Sequence, residues 1–171
     1  MEISGPSPLS GKVRSPTGAK IALPKLFPYK GRDMDLQDTA LAERLRLAGL
    51  RPTRQRLSLA AILFGAGDRH VSAESLHQEA LSARINVSLA TVYNTLNQFK
   101  AAGLLREVAF EGDRTFFDTN TSNHFHYYIA ETDSLVDIGT EDLQVMGLPP
   151  LPAGTEIDRV DIIIRLRKAE R

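Results

Sequence analysis

The chain has four histidines, His70, His77, His124 and His126, and no cysteine. His124 and His126 stand two apart in His-Phe-His-Tyr-Tyr-Ile, an aromatic-rich stretch that reads as a strand. The two-residue period of a strand turns both imidazoles to one face. Asp118 closes the preceding expected strand, and Asp137 lies in Ser134–Ile138, the strand expected to pair with the His-x-His strand. Two imidazoles and two carboxylates can converge in that arrangement, and such a nitrogen and oxygen set suits Fe²⁺, Mn²⁺ or Zn²⁺. The competing reading is a surface strand with two solvated histidines. His70 precedes Val71-Ser72-Ala73-Glu74, where it reads on its own as a capping or surface residue, and His77 has no assigned role.

A second set of residues suits nucleic acid. Arg51, Arg54 and Arg56 gather at the start of an expected helix, where arginines can anchor phosphates. In the expected helix after Ser88, a step of about 100° per residue puts Leu89, Val92, Leu96 and Phe99 on one face. Ala90, Tyr93, Asn94 and Asn97 fall together on another face. Asn side chains can read adenine edges in a major groove, and Tyr93 can reach a base or sugar. The alternative is a solvated polar face.

Elements must position these groups. Residues 1–34 are broken by Pro and Gly and read as a mobile tail. Leu41, Leu45 and Ala48 predict a first helix stopped by Gly49. Thr53 can cap a second, carrying Leu57, Ala61 and Phe64 and ending at Gly65-Ala66-Gly67. Ser72 can cap a third, with Leu76 and Ala80 inward, and Ser88 a fourth, stopped by Gly103. Leu104–Phe110, Glu111-Gly112-Asp113 and Arg114–Asp118 read as strand, tight turn and strand. Helices followed by a hairpin in this order predict a winged helix. Beyond Asn120 come the strands His124–Ile129 and Ser134–Ile138, a short helix over Glu141–Met146 and a Pro-rich loop. Val160–Leu166 reads as a buried strand that helps build a dimer. The fold class is therefore α+β: a flexible tail over 1–34, a winged-helix DNA-binding domain over 35–118, and a small α/β dimerisation and sensing domain over 119–171.

Composition narrows the function. The 171 residues carry 21 Lys+Arg and 21 Asp+Glu. The balance hides an asymmetry, because residues 110–171 hold twelve acidic against six basic side chains. A basic front suits phosphates and an acidic back suits a cation. The absence of Cys excludes disulfides, thiolate zinc sites and a Cys nucleophile. No run approaches the length of a transmembrane helix, and no signal peptide opens the chain, so the expected location is cytoplasmic with no membrane partner. No phosphate loop, nucleophile elbow or His-Glu-x-x-His motif is present, so no enzyme is expected. A metal-dependent hydrolase built on the His/Asp cluster remains the alternative from another class.

Leu47-Ala48-Gly49-Leu50-Arg51-Pro52-Thr53-Arg54-Gln55-Arg56, His70-Val71-Ser72-Ala73-Glu74, Ser88-Leu89-Ala90-Thr91-Val92-Tyr93-Asn94-Thr95-Leu96 and His124-x-His126 together resemble the ferric uptake regulator (Fur) family. The resemblance implies a dimeric winged-helix repressor with a regulatory metal between its domains. It implies Ser88 and Thr91 as DNA-contacting residues beside Ala90, Tyr93, Asn94 and Asn97. It implies the ligand set His70, Asp118, His124, His126 and Asp137, which gives His70 a role that its local sequence does not. Many relatives hold a structural zinc on Cys-x-x-Cys. Ile129 and Thr132 stand there instead, so no Cys-ligated structural zinc is expected.

The Asp-Thr-Asn-Thr-Ser-Asn-His stretch, Asn94 after the helix Tyr, and Arg159–Arg167 resemble the iron response regulator subfamily of α-proteobacteria. That resemblance implies haem as the sensed ligand, with His124, His126 or Tyr127 as axial candidates. Phe125 stands where a third His is common, and no N-terminal Cys-Pro motif is present. Direct Fe²⁺ or Mn²⁺ sensing, or peroxide sensing through bound Fe²⁺, is the alternative within the family.

Overall fold

A computed structural model of the chain describes residues 36–109 and 115–169. The expected tail over 1–34 and the tip of the expected hairpin, Glu111-Gly112-Asp113, lie outside these residues. Four helices come first: α1 (Leu36–Leu47), α2 (Arg54–Phe64), α3 (Ala73–Ser82) and α4 (Leu89–Ala101).

Their starts follow from side-chain capping. Thr53, Ser72 and Ser88 sit in extended backbone and each accepts a backbone N–H from three residues on. At α3 the Ser75 hydroxyl returns a bond to the Ser72 N–H, which closes a capping box. The ends share one device. After α1, α3 and α4, a residue with positive φ reverses the chain: Gly49 (74°), Arg84 (59°) and Gly103 (70°). The next N–H, of Leu50, Ile85 or Leu104, bonds five residues back to Leu45, Ala80 or Phe99, a Schellman closure.

Leu45, Leu59, Leu63, Leu76, Val92, Leu96, Phe99 and Phe117 form the centre of the helical core. The inward faces of α3 and α4 match expectation, and α2 buries a set of residues beyond Leu57, Ala61 and Phe64. Leu59, Ala60, Ile62 and Leu63 are buried, whereas Leu57, Ala61 and Phe64 are only partly covered. The helix packs against α1, α3 and α4, which widens its apolar arc beyond a single stripe.

Two small sheets follow. β1 (His70–Val71), β2 (Arg106–Ala109) and β3 (Thr115–Asp118) form an antiparallel sheet in the order β1-β3-β2. β4 (Phe125–Ile129), β5 (Ser134–Ile138) and β6 (Ile163–Leu166) form the second, in the order β5-β4-β6, with β6 parallel to β4. Val108 and Phe116 of the first sheet pack on Tyr128 and Leu135 of the second, with Ile163 against them.

Two expectations fail in the second half. Glu141–Met146 is not a helix: only a turn forms, closed by Asp142 N–H to Gly139 C=O at 3.1 Å. A six-residue segment between Gly139 and Gly147 gains too few bonds to offset nucleation without a surface to pack on. The expected buried strand over Val160–Leu166 is shorter, beginning at Ile163, and lies half-exposed at the sheet edge because, among the described residues, it pairs with β4 alone.

Candidate metal centre and exposed helix face

Strand pairing assembles the centre. β1 and β3 register His70 opposite Asp118, and β4 and β5 register His126 opposite Asp137. His124 stands just before β4, in phase with His126. The five side chains therefore meet where the two sheets face each other, each offering one ligand atom within 4.8 Å of all the others. From Asp118 Oδ2, the Nε2 atoms of His124, His70 and His126 lie at 2.9, 3.5 and 3.5 Å. From Asp137 Oδ1 the same atoms of His70, His124 and His126 lie at 3.0, 3.6 and 3.9 Å. The two histidine Nε2 atoms on the second sheet are 3.0 Å apart. The solvated-strand alternative fails here: Asp118 is fully buried, and His126 and His124 are 1% and 5% exposed.

The donor chemistry fits a divalent cation. Ligand atoms about 2.1 Å from one ion and at right angles stand about 3 Å apart, which is the spacing of the closest pairs here. Among the described residues, two buried atoms, His70 Nε2 and Asp118 Oδ2, face the centre at ion-pair distance from the other ligands without a well-directed hydrogen bond. His124 Nδ1 lies 2.9 Å from the Ser122 carbonyl, which can only accept. Nδ1 therefore carries the proton, and the Nε2 lone pair is left for a metal.

Charge leads to the same conclusion. Burial alone lowers the His70 pKa, but the carboxylates of Asp118 and Asp137 close to its Nε2 outweigh it and raise the group to about 9. Burial pushes the Asp118 carboxyl up, but His126 and His70 hold it well below the usual carboxylate range. Asp137 is lowered too, with its burial overcome by His70 and Asn120. Without a metal the protonated His70 imidazole answers part of the charge of the two carboxylates. A divalent ion with neutral histidines would balance both.

Neighbouring groups fix the ligands. Asn120 donates its backbone N–H to Asp118 Oδ1 at 2.8 Å and its side-chain amide to Asp137 Oδ2 at 3.2 Å. Arg106, 6% exposed, donates to the carbonyls of Ser122 and His124 and to Asp161 at 2.7 Å. Beside His70, the backbones of Arg69 and Thr119 bond each other, while the Arg69 guanidinium pairs with Glu79 on α3. Sequence reasoning passed over all three. The only signal was Asp118-x-Asn120, a spacing at which an Asp side chain commonly accepts the backbone N–H two residues on.

Other candidates lie elsewhere. Tyr127 alternates with His126 along β4, so it points to the opposite face, is 36% exposed, and does not join the cluster. His77 donates through Nε2 to the Val87 carbonyl at 3.0 Å, a structural tie.

On α4, Ala90, Tyr93, Asn94 and Asn97 are all exposed, as the helical period predicts. The Tyr93 hydroxyl donates to Glu74 on α3 at 2.6 Å, and that bond raises its pKa. Ser88 and Thr91 bond each other in the cap. Arg51 and Arg54 are exposed. Arg56 instead brackets the fold: its guanidinium donates twice to Gln98 Oε1 on α4 and once to the Arg51 carbonyl.

Comparisons with known proteins give the family and the fold. The profile described as "Ferric uptake regulator family" matches residues 47–149. A ferric uptake regulation protein of Pseudomonas fluorescens is 32% identical over 103 residues, covering 60% of this chain and 84% of that protein. The peroxide-responsive repressor PerR of Staphylococcus epidermidis is 35% identical over 106 residues, 61% of this chain and 68% of that one. Among solved structures, the manganese-bound ferric uptake regulator of Pseudomonas aeruginosa aligns with a TM-score of 0.57 at 27% identity. It covers 76% of this chain and 98% of its own. The Vibrio cholerae regulator aligns at 0.60 and 22% identity, over 74% and 98%.

Proposed function

The chain belongs to the ferric uptake regulator family, and from that membership we propose that it is a metal-responsive, sequence-specific repressor. It binds double-stranded operator DNA as a homodimer in the cytoplasm and is not an enzyme. Residues 35–118 act as the winged-helix DNA-binding domain, with α4 as the reading helix. Residues 119–171 act as the dimerisation and sensing domain, and residues 1–34 as a tail. The exposed polar face of α4 supports the first assignment. The open edge at β6 and the exposed Met146, Leu148, Leu151 and Ile157 support the second.

One observation carries the reading: five ligands, four of them buried or half-buried and Asp137 exposed, two from the helical half and three from the second sheet, meet at one point. His70, Asp118, His124, His126 and Asp137 would hold Fe²⁺ or Mn²⁺, with Zn²⁺ a competitor. A bound divalent ion supplies charge balance and cross-links the sheets. The chain's own residues do the rest. With the ion held, His70 would release its proton to solvent, Asp118 and Asp137 would lose their repulsion, and the angle between the two DNA-reading helices of a dimer would be fixed.

Haem is the less favoured ligand. The Nε2 atoms of His124 and His126 are buried and face Asp118 and each other, whereas a porphyrin needs an open slot beside its axial ligand. Peroxide sensing is the second reading, favoured by the two aspartate ligands and the similarity to a peroxide-responsive repressor. Treatment with Fe²⁺ and peroxide followed by mass spectrometry checks it. An added oxygen on His70 or His124 supports it, and unmodified histidines reject it.

The main reading is tested by selecting random duplexes with Mn²⁺-loaded protein and sequencing those retained. The expected result is a motif of two symmetric half-sites that is lost in an Asn94→Ala/Asn97→Ala variant. No enrichment with or without metal contradicts it.

A further inference from the structure

We propose that Asn120, which is not itself a ligand, sets how Asp118 and Asp137 present themselves to the metal: one oxygen each. The inference rests on the metal-centre reading and deepens it. The two carboxylates come from different sheets, yet one residue binds the outer oxygen of both. Its backbone N–H holds Asp118 Oδ1 at 2.8 Å, and its side-chain amide holds Asp137 Oδ2 at 3.2 Å. The inner oxygens, Asp118 Oδ2 and Asp137 Oδ1, are the ones that face the three imidazoles.

The amide orientation is dictated by its neighbours. Asn120 Oδ1 accepts from the Ser122 N–H at 3.1 Å and lies 2.6 Å from the Ser122 hydroxyl. The amide oxygen is thus committed to the turn, and the NH₂ group must point toward Asp137.

Asp137 needs this restraint more than Asp118. The Asp118 side chain is fully buried and held by a main-chain donor, whereas that of Asp137 is 34% exposed. Without the amide, Asp137 is free to rotate, to chelate through both oxygens or to leave. With it, the protein offers three nitrogens and two oxygens, a five-donor set of defined shape.

The test uses Co²⁺ as the probe metal on the full chain, read by visible absorption and competition titration. Asn120→Ser keeps a turn-forming oxygen but deletes the amide donor. Asn120→Asp keeps the shape and places an acceptor against Asp137. Each is made alone and with Asp137→Ala, and thermal melts identify any variant that does not fold. The expected result is an altered ligand-field spectrum and an affinity loss of about 10-fold for Asn120→Ser, greater for Asn120→Asp. In the Asp137→Ala background the Asn120→Ser loss should vanish, because its target is gone.

Unchanged spectrum and affinity in both Asn120 variants overturn the proposal. So does an equal loss with and without Asp137, which marks a merely structural role. A wild-type chain that takes up no Co²⁺, or a His126→Ala chain that binds as well as wild type, overturns the metal-centre reading and the proposal with it. Wild-type binding lost in His126→Ala but unaffected by either Asn120 variant overturns the proposal alone.

Discussion

At His70 the metal-free protein keeps a proton where the centre is arranged to keep a cation. The imidazole is raised from 6.5 to about 9, so over that interval the fold binds a proton that the unfolded chain releases. The resulting stability is complete below about pH 6.5 and is lost as the pH climbs through 9. The lowered carboxyls of Asp118 and Asp137 act in the opposite sense: their contribution is present above about 3.8 and is lost in acid. Metal-free protein should therefore melt at progressively lower temperature from pH 6.5 to 9, while metal affinity rises over the same interval. Scanning fluorimetry across pH checks the first. Calorimetric titration in buffers of different ionisation heat checks the second by counting released protons. Deleting a ligand should cost more than the 10–100-fold typical of residues that only orient one. Asp118→Ala and His126→Ala are accordingly expected to abolish tight Mn²⁺ binding. Retention of wild-type affinity in either variant would remove that residue from the centre.

Among the elements, α4 has two faces with separable roles. Val92, Leu96 and Phe99 are fully buried, so Phe99→Ala should destabilise the fold by about 3–5 kcal/mol. Ser88→Ala, which removes the cap, should cost about 1 kcal/mol. Asn94→Ala and Asn97→Ala touch only the exposed face. They should leave the melting temperature unchanged and weaken operator binding by about 1–3 kcal/mol if each reads a base. Denaturant melts set against DNA titrations separate the two faces. The starts of α2, α3 and α4 were legible because Thr53, Ser72 and Ser88 each announce a cap. The end of α3 carries no glycine, and Arg84 takes the left-handed conformation there instead. The full buried face of α2, which packs on three neighbours, was not legible. Residues 141–146 read as a short helix, but among the described residues all of them except Leu143 lie exposed, with little packed on them. The polar face of α4 was legible in composition and spacing, whereas the use of Arg56 as an internal bracket depended on Gln98, 42 residues away.

Across the whole molecule, the candidate centre is the seam between the helical half and the second sheet. Four of its ligands could be read from strand periodicity, because His124, His126 and Asp137 lie on adjacent strands and Asp118 ends the one before. His70 could not: it is brought in by pairing of a two-residue strand with β3. It entered only through likeness to a family. Asn120 and Arg106 were missed because their roles exist only once both sheets are in place. A metal that ties the sheets together binds the folded chain alone, so at 100 times its dissociation constant it should stabilise by about 2.7 kcal/mol. Chemical unfolding with and without Mn²⁺ measures that gain, and the His126→Ala variant should show none.

The most direct test of the central claim is fluorescence anisotropy of labelled operator DNA titrated with protein, with and without Mn²⁺, for wild type and His126→Ala. The account predicts that Mn²⁺ changes wild-type affinity by at least about 10-fold, a coupling of about 1.4 kcal/mol, and leaves the variant unchanged. Equal DNA affinity of the wild type in both conditions, or the same metal response in the variant, would contradict it.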